Sequence, residues 1–408
     1  MSPRPKILFL VHRVPFPPNR GDRIRSYHIL KSLAEWSDVS LATLADEPLE
    51  PGTHQELDRL CERVAIDQVS STRWLRAAVS LLAGRSATEG LFASTNLRRT
   101  LDSWTRTTPY DAVVVFCSSM MQYLQLPGLK SVRAIIDLVD VDSQKFLDYA
   151  QEATGLKRLL YQTEGQRLRT LERTLPYRAR AITLVSEAEA DLYRTICPND
   201  RTLALENGVD LNYFQPQDVE ASPFHCVFVG AMDYYPNASG IKQFCWDVWP
   251  QILSRYPAAT LAIVGRNPPP DVKSLVSTPG IEVTGTVPDV RPHVAKATAV
   301  VVPLKIARGV QNKILEAMAM GKPVIASPQA LDGLQAQPEQ DLLSACSADE
   351  WVSQISRLFE DSLACRELAI SARQYVENRH AWSITMQPLA ELIGWETAPK
   401  HPRVAATI

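Results

Sequence analysis

The residues richest in possible chemistry run Pro303-Leu304-Lys305-Ile306-Ala307-Arg308-Gly309-Val310-Gln311-Asn312-Lys313-Ile314-Leu315-Glu316-Ala317-Met318-Ala319-Met320-Gly321-Lys322-Pro323-Val324. This segment reads as a strand, a glycine loop, a helix, a glycine stop and a second strand. Free amides at the start of that helix, with Gly309 allowing close backbone approach, form a phosphate site. Lys313 falls in the first turn, where the helix dipole disfavours a cation unless an anion binds there. Glu316 lies one turn later on the same face, spaced to reach a sugar hydroxyl attached to that phosphate. Taken alone, the same residues also fit an ordinary surface Lys–Glu pair.

Two further groups stand out. Arg20, Arg23 and Arg25 surround Gly21 and Asp22, a charge that suits a phosphate-bearing ligand or a solvated helix start. Asp137, near the end of the apolar run 134–138, and Asp140 and Asp142, just after it, cluster at the carboxyl end of a strand. Carboxylates at the carboxyl end of a strand face a cleft, and mutual repulsion raises one toward the pKa of a general base. The Asp140-x-Asp142 spacing also fits a metal-bound diphosphate, but among 45 acidic residues it arises easily by chance. The histidines and cysteines are dispersed, so no metal site is expected, and His12 at the end of the first apolar run reads as structural. No Ser-His-Asp order or phosphate-loop Gly-x-x-x-x-Gly-Lys occurs.

These groups need elements to place them. Apolar runs at 6–11, 39–45, 112–116, 134–138 and 181–185 predict buried strands, with helical stretches between most of them. Asp22 is the expected cap of the first helix. A second series at 226–229, 261–264, 281–284, 300–303 and 323–326 follows the turn Asn207-Gly208-Val209-Asp210. Nearly continuous apolar strands alternating with helices predict parallel sheets. The chain's 408 residues allow two full domains. The fold class is therefore α/β, with two doubly wound Rossmann-like domains facing across a cleft. They are expected at 1–210 and 211–385, with a tail at 386–408. Ligands in such sheets sit beyond the carboxyl ends of the strands.

The balance of 43 basic against 45 acidic side chains argues against a nucleic-acid binder. The apolar runs are too short to span a bilayer, and the run after Met1 is too brief for a secretory signal. Scattered, unpaired cysteines are expected to be reduced thiols in the cytoplasm. Between Lys157 and Arg180, basic residues interleave with Leu156, Leu159, Leu160, Leu168, Leu171 and Leu175. Residues 156–180 thus form a basic amphipathic stretch suited to anionic lipid, or a solvated helix packed on the sheet. Trp74-Leu75-Arg76 and the run through Leu82 form a second such stretch.

Arg308 to Val324 resembles the donor motif of family 4 glycosyltransferases, retaining enzymes of the GT-B fold. Asn207-Gly208-Val209-Asp210, Phe228-Val229-Gly230, Ile263-Val264-Gly265-Arg266 and Thr284-Gly285-Thr286-Val287-Pro288-Asp289 follow in the family's order. Where many members carry a glutamate eight positions before Glu316, this chain has Arg308, whose guanidinium suits phosphate oxygens. The usual Lys-Gly just beyond Gly230 is replaced by Tyr235-Pro236-Asn237, leaving Lys313, Arg308 or Arg266 to supply the charge. A narrower likeness is to the sugar transferases of PEP-CTERM/exosortase exopolysaccharide loci. It is carried by His12-Arg13-Val14-Pro15-Phe16-Pro17-Pro18, Arg20-Gly21-Asp22-Arg23, Asp140-Val141-Asp142-Ser143, Gly230-Ala231-Met232-Asp233-Tyr234 and Ala307-Arg308-Gly309-Val310-Gln311-Asn312-Lys313.

The resemblance implies transfer of a sugar, with retention, from a nucleoside diphosphate sugar to a glycan or polyprenyl-linked acceptor. It implies no metal, and no cofactor besides that co-substrate. Asp140, Arg308 and Lys313 become catalytic candidates. Gly230, Arg266, Val287, Asp289, Gly309, Val310, Gln311, Asn312 and Glu316 become donor-binding candidates. Arg20, Gly21 and Asp22 become an acceptor or phosphate loop. The expected setting is the cytoplasm, peripheral to the inner face of the plasma membrane. A nucleotide-sugar epimerase of the same fold and a non-catalytic scaffold are the rival readings.

Overall fold

The computed structural model describes residues 4–307 and 309–394. They form two compact units, one reaching to Leu205 and including the segment from Met386, the other spanning Glu206–Thr385. The first unit is built on a seven-stranded, wholly parallel sheet. Its strands are β1 (Lys6–Val11), β2 (Asp38–Ala45), β3 (Arg63–Gln68), β4 (Ala112–Phe116), β5 (Arg133–Val139), β6 (Ala181–Leu184) and β7 (Thr202–Ala204), in the order β3-β2-β1-β4-β5-β6-β7. Parallel neighbours require crossovers, and helices such as Gly21–Trp36 supply them. Every residue of β4 is buried, as its unbroken apolar sequence demands.

The second unit holds a six-stranded parallel sheet of β8 (His225–Val229), β9 (Thr260–Val264), β10 (Ile281–Gly285), β11 (Ala299–Val302), β12 (Val324–Ala326) and β13 (Leu343–Ser344), in the order β10-β9-β8-β11-β12-β13. Strand order reverses between β1 and β4 in one sheet and between β8 and β11 in the other. At such a reversal the two flanking crossovers part, leaving a crevice at the carboxyl ends of the strands where ligands bind.

Three strands were not expected from the apolar pattern: β3, β7 and β13, all at sheet edges. An edge strand has one neighbour and more solvent, so its sequence need not be continuously apolar. Indeed β3 is only half-buried, and β13 has two residues. Asp22 does not cap the first helix. Arg20 occupies the cap position without a side-chain cap bond, and Asp22 sits in the first turn. The units divide at Leu205/Glu206 rather than at 210. The expected tail opens with an ordered helix, Gln387–Ile393, whose Leu389, Ala390 and Ile393 are buried. Residues 395–408 lie outside the described residues.

Candidate functional site

The helix start that carries Lys313 meets Asn237 and Gly230 at the β8/β11 reversal. Gly309 adopts a left-handed φ of 60°, and the helix that follows runs Asn312–Ala319 with Gln311 at its cap. Gly333 packs on this loop so closely that a Cβ there would lie 2.6 Å from the Gly309 carbonyl carbon. Asn312 Oδ1 accepts a 3.1 Å hydrogen bond from Asn207 Nδ2, fixing the helix start.

Lys313 Nζ donates to Asn237 Oδ1 at 2.6 Å and lies 4.7 Å from the centre of the Phe228 ring. Asn237 Nδ2 in turn donates to the Ala231 carbonyl at 2.9 Å. Gly230 leaves room for this pair: a Cβ there would stand 2.8 Å from Asn237 Nδ2 and 3.0 Å from Lys313 Nζ. The adjacent strand ends are equally tight, since a Cβ on Gly265 would strike the Gly230 carbonyl oxygen at 1.7 Å. Burial drives the Lys313 pKa down against the pull of Glu316, and drives the Glu316 pKa up against the pull of Lys313. Each charge is therefore opposed by burial and favoured by its partner.

The other donor candidates each have local contacts of their own. Val310 is buried, and Gln311 Nε2 donates to the Gly309 carbonyl at 3.4 Å. The Arg266 carbonyl accepts from the Met232 amide at 2.9 Å, and its side chain is part-buried. Val287 is part-buried on the loop after β10. Asp289 is engaged within the protein: Arg291 grips it through Nε and Nη2 at 3.0 and 2.7 Å and stacks over Tyr213 at 3.7 Å. Arg308 lies outside the described residues. Asn237 and Gly333, which contact Lys313 and the Gly309 loop, were not singled out as site residues in the sequence. The replacement of Lys-Gly by Pro236-Asn237 was the available signal for the first.

In the first unit the three arginines part company. Arg25 is buried, and its Nε and Nη2 donate to Asp137 at 3.1 and 2.7 Å. Asp137 also accepts from Thr183 Oγ1 at 2.9 Å and from the Val139 amide at 3.1 Å. Asp137 is thus a core anchor and not a cleft carboxylate. Arg20 and Arg23 both reach Glu47, at 3.0 and 3.1 Å. Arg20 Nε and Nη2 and Arg23 Nε are enclosed without a hydrogen-bond acceptor among the described residues. Gly21 faces open space, and Asp22 accepts from Arg13 at 2.9 Å.

Asp140 follows β5, its amide donating to the Leu138 carbonyl at 2.9 Å. Asp142 accepts from Ser118 Oγ at 2.8 Å and from Lys145 Nζ at 3.3 Å. Burial opposes the Lys145 charge, yet Asp142 and Asp140 outweigh it and raise its pKa. Burial pushes the Glu189 carboxyl up, with Asp140 and Asp142 adding to the effect, while the Val141 amide opposes it from 2.9 Å.

The basic leucine-rich stretch is shorter than expected. Its helix is Gly155–Glu172; Leu156, Leu159 and Leu160 are exposed, whereas Leu168 and Leu175 are buried. Arg169 is spent on Gln144 at 2.6 Å. Leucines beyond the first turns of this helix build the core, so only its N-terminal half offers an apolar surface. Trp74, Leu75 and Leu82 on the helix Arg73–Leu82 are also exposed. Among the described residues, no helix is long and apolar enough to cross a membrane.

Residues 223–361 match the family model of glycosyl transferases group 1. No curated protein matches. Among solved structures, sucrose-phosphate synthase (tll1590) from Thermosynechococcus elongatus aligns over 95% of this chain and 98% of its own, at 18% identity and a TM-score of 0.70. Anabaena Alr3699/HepE in complex with UDP-glucose aligns over 95% and 98%, at 15% identity and 0.65. WaaG, a glycosyltransferase involved in lipopolysaccharide biosynthesis, aligns over 95% and 100%, at 15% identity and 0.62. Its second unit thus matches glycosyl transferases group 1, and the chain has the GT-B fold of glycosyltransferase structures.

Proposed function

We propose that this protein is a family 4-type retaining glycosyltransferase that takes a nucleoside diphosphate sugar in its second unit. The observation that carries this reading is the Lys313–Asn237 pair beneath Gly230, at the strand-order reversal and beside a helix whose start follows a left-handed glycine. The amides of Gln311 and Asn312 receive the diphosphate, Lys313 takes the charge of the departing phosphate, and Glu316 accepts from a ribose hydroxyl. Arg308 adds a second cation from the same loop. Gly230, Arg266 and Val287 line the base side.

The first unit holds the acceptor, a glycan or polyprenyl-linked sugar. Arg20 and Gly21 meet its phosphate at the start of the helix Gly21–Trp36, where Gly21 faces open space, and Asp140 acts at the reacting hydroxyl. The exposed Leu156, Leu159 and Leu160 with Lys157 and Arg158 rest on anionic lipid at the inner face of the plasma membrane. Exopolysaccharide assembly is the process this acceptor class serves.

Calorimetry with UDP-sugars tests the donor site. Glu316→Ala should weaken binding by about 1–3 kcal/mol, the cost of one charge-assisted hydrogen bond, and Lys313→Ala should weaken it in the same direction. Unchanged affinity in both variants would sink the site. A retained anomeric configuration in the product, read by NMR, tests the stereochemistry.

A further inference from the structure

The carboxyl ends of β1 and β4 bring together three groups outside the donor site. His12 follows β1 and Cys117 follows β4, neighbours at the reversal of strand order. The His12 amide donates to the Phe116 carbonyl at 3.1 Å. His12 Nδ1 lies 3.7 Å from Cys117 Sγ, and His12 Nε2 lies 3.7 Å from Asp22 Oδ2. The imidazole is stacked on Phe116 and edge-on to Phe92, with centroids 5.7 and 5.3 Å away. Asp22 is steadied by Arg13, whose other nitrogen donates to Asp46 at 2.7 Å. The imidazole is buried, and Cys117 as a whole residue is half-buried.

A thiol beside an imidazole whose far nitrogen meets a carboxylate is the arrangement that makes cysteine a nucleophile. We propose that Cys117, activated by His12 and Asp22, is a site of thiol–disulfide exchange with small disulfides entering the crevice of the first sheet. The Cys117 thiolate attacks one sulfur of the disulfide; a Cys117–sulfur bond forms and the original sulfur–sulfur bond breaks. The Cys117 sulfur is oxidised and the departing sulfur reduced, leaving as a thiolate that takes a proton from the His12 imidazolium or water.

The surrounding charges agree. Burial opposes the thiolate, and so does Asp142, but His12 and the Ser119 hydroxyl 3.6 Å away outweigh them and hold the Cys117 pKa below its ordinary value. Burial and Arg13 oppose the imidazolium, but Cys117 and Asp22 outweigh them and raise the His12 pKa. Burial instead pushes Cys61, Cys226 and Cys245 up to about 12. The exchange does not depend on sugar transfer, so mass reads it directly.

The full chain is exposed to oxidised glutathione or trace iodoacetamide across pH 6.5 to 9.5, and peptides are quantified by mass spectrometry. At the acid end Cys117 should react at least about tenfold faster than the exposed Cys346, because the His12 imidazole beside it favours the thiolate. His12→Gln, shown folded by its thermal transition, should erase that lead at pH 6.5 while leaving Cys117 reactive at pH 9.5. A wild-type Cys117 that trails Cys346 at pH 6.5, or climbs with pH as steeply, overturns the proposal. The wild-type profile decides the matter even if His12→Gln does not fold.

Discussion

Asn237 receives the Lys313 ammonium at 2.6 Å while its own amide nitrogen is tied to the Ala231 carbonyl at 2.9 Å. The second bond fixes which end of the Asn237 amide faces the lysine, so the oxygen is always presented to the cation. A neutral acceptor positions Lys313 without setting an opposite charge against it.

Lys313 and Glu316 together set a pH dependence. Burial holds Lys313 down at about 7 and Glu316 up at about 7, against ordinary values of 10.5 and 4.5. As pH rises from 4.5 to about 7, the folded chain holds the Glu316 proton that the unfolded chain has lost, so stability falls. From about 7 to 10.5 the unfolded chain holds the extra Lys313 proton, so stability rises. A bound diphosphate favours the charged lysine, so donor binding at pH 8 should take up protons. Calorimetry in buffers of different ionisation heat should show a buffer-dependent signal that Lys313→Met abolishes. A buffer-independent heat in the wild type would refute the linkage.

Arg25 and Asp137 predict a stability effect without a binding effect. Removing one member of a buried, hydrogen-bonded ion pair leaves an uncompensated charge and costs about 3–5 kcal/mol. Arg25→Met should lower the urea midpoint accordingly while the folded fraction binds donor normally. A midpoint within error of wild type would mean that water already compensates the carboxylate.

Chelation should leave transfer intact. Asp142 is already served by the Ser118 hydroxyl and Lys145 ammonium. In the proposed reaction, protein cations and helix amides balance the departing diphosphate. Activity lost in EDTA and recovered with manganese would return Asp140 and Asp142 to metal binding.

Lipid contact is confined to the first turns of the helix Gly155–Glu172 and its exposed leucines. The protein should sediment with anionic vesicles at low salt and release as salt rises. Lys157→Glu with Arg158→Glu should remove at least about 2 kcal/mol of attraction, at about 1 kcal/mol per basic residue. Sedimentation unaffected by both reversals would place the contact elsewhere.

The sequence by itself determined the alternation of strands and helices, the glycine-bounded helix 312–319, and the shared face of Lys313 and Glu316. Each is local: strand and helix periods repeat within a few residues, so neighbouring positions carry the information. What only the tertiary structure decided is who meets whom across the sheet. Lys313 finds Asn237 from 76 positions away, Arg25 finds Asp137 from 112, and His12 finds Cys117 from 105. These meetings depend on strand order, and a parallel sheet sets that order through long crossovers that leave no periodic trace. Charge behaved likewise. Arg20, Arg23 and Arg25 look alike in the chain, but Arg23 and Arg25 are buried and only Arg25 meets the core carboxylate Asp137, because burial belongs to the assembled unit and not to the residue.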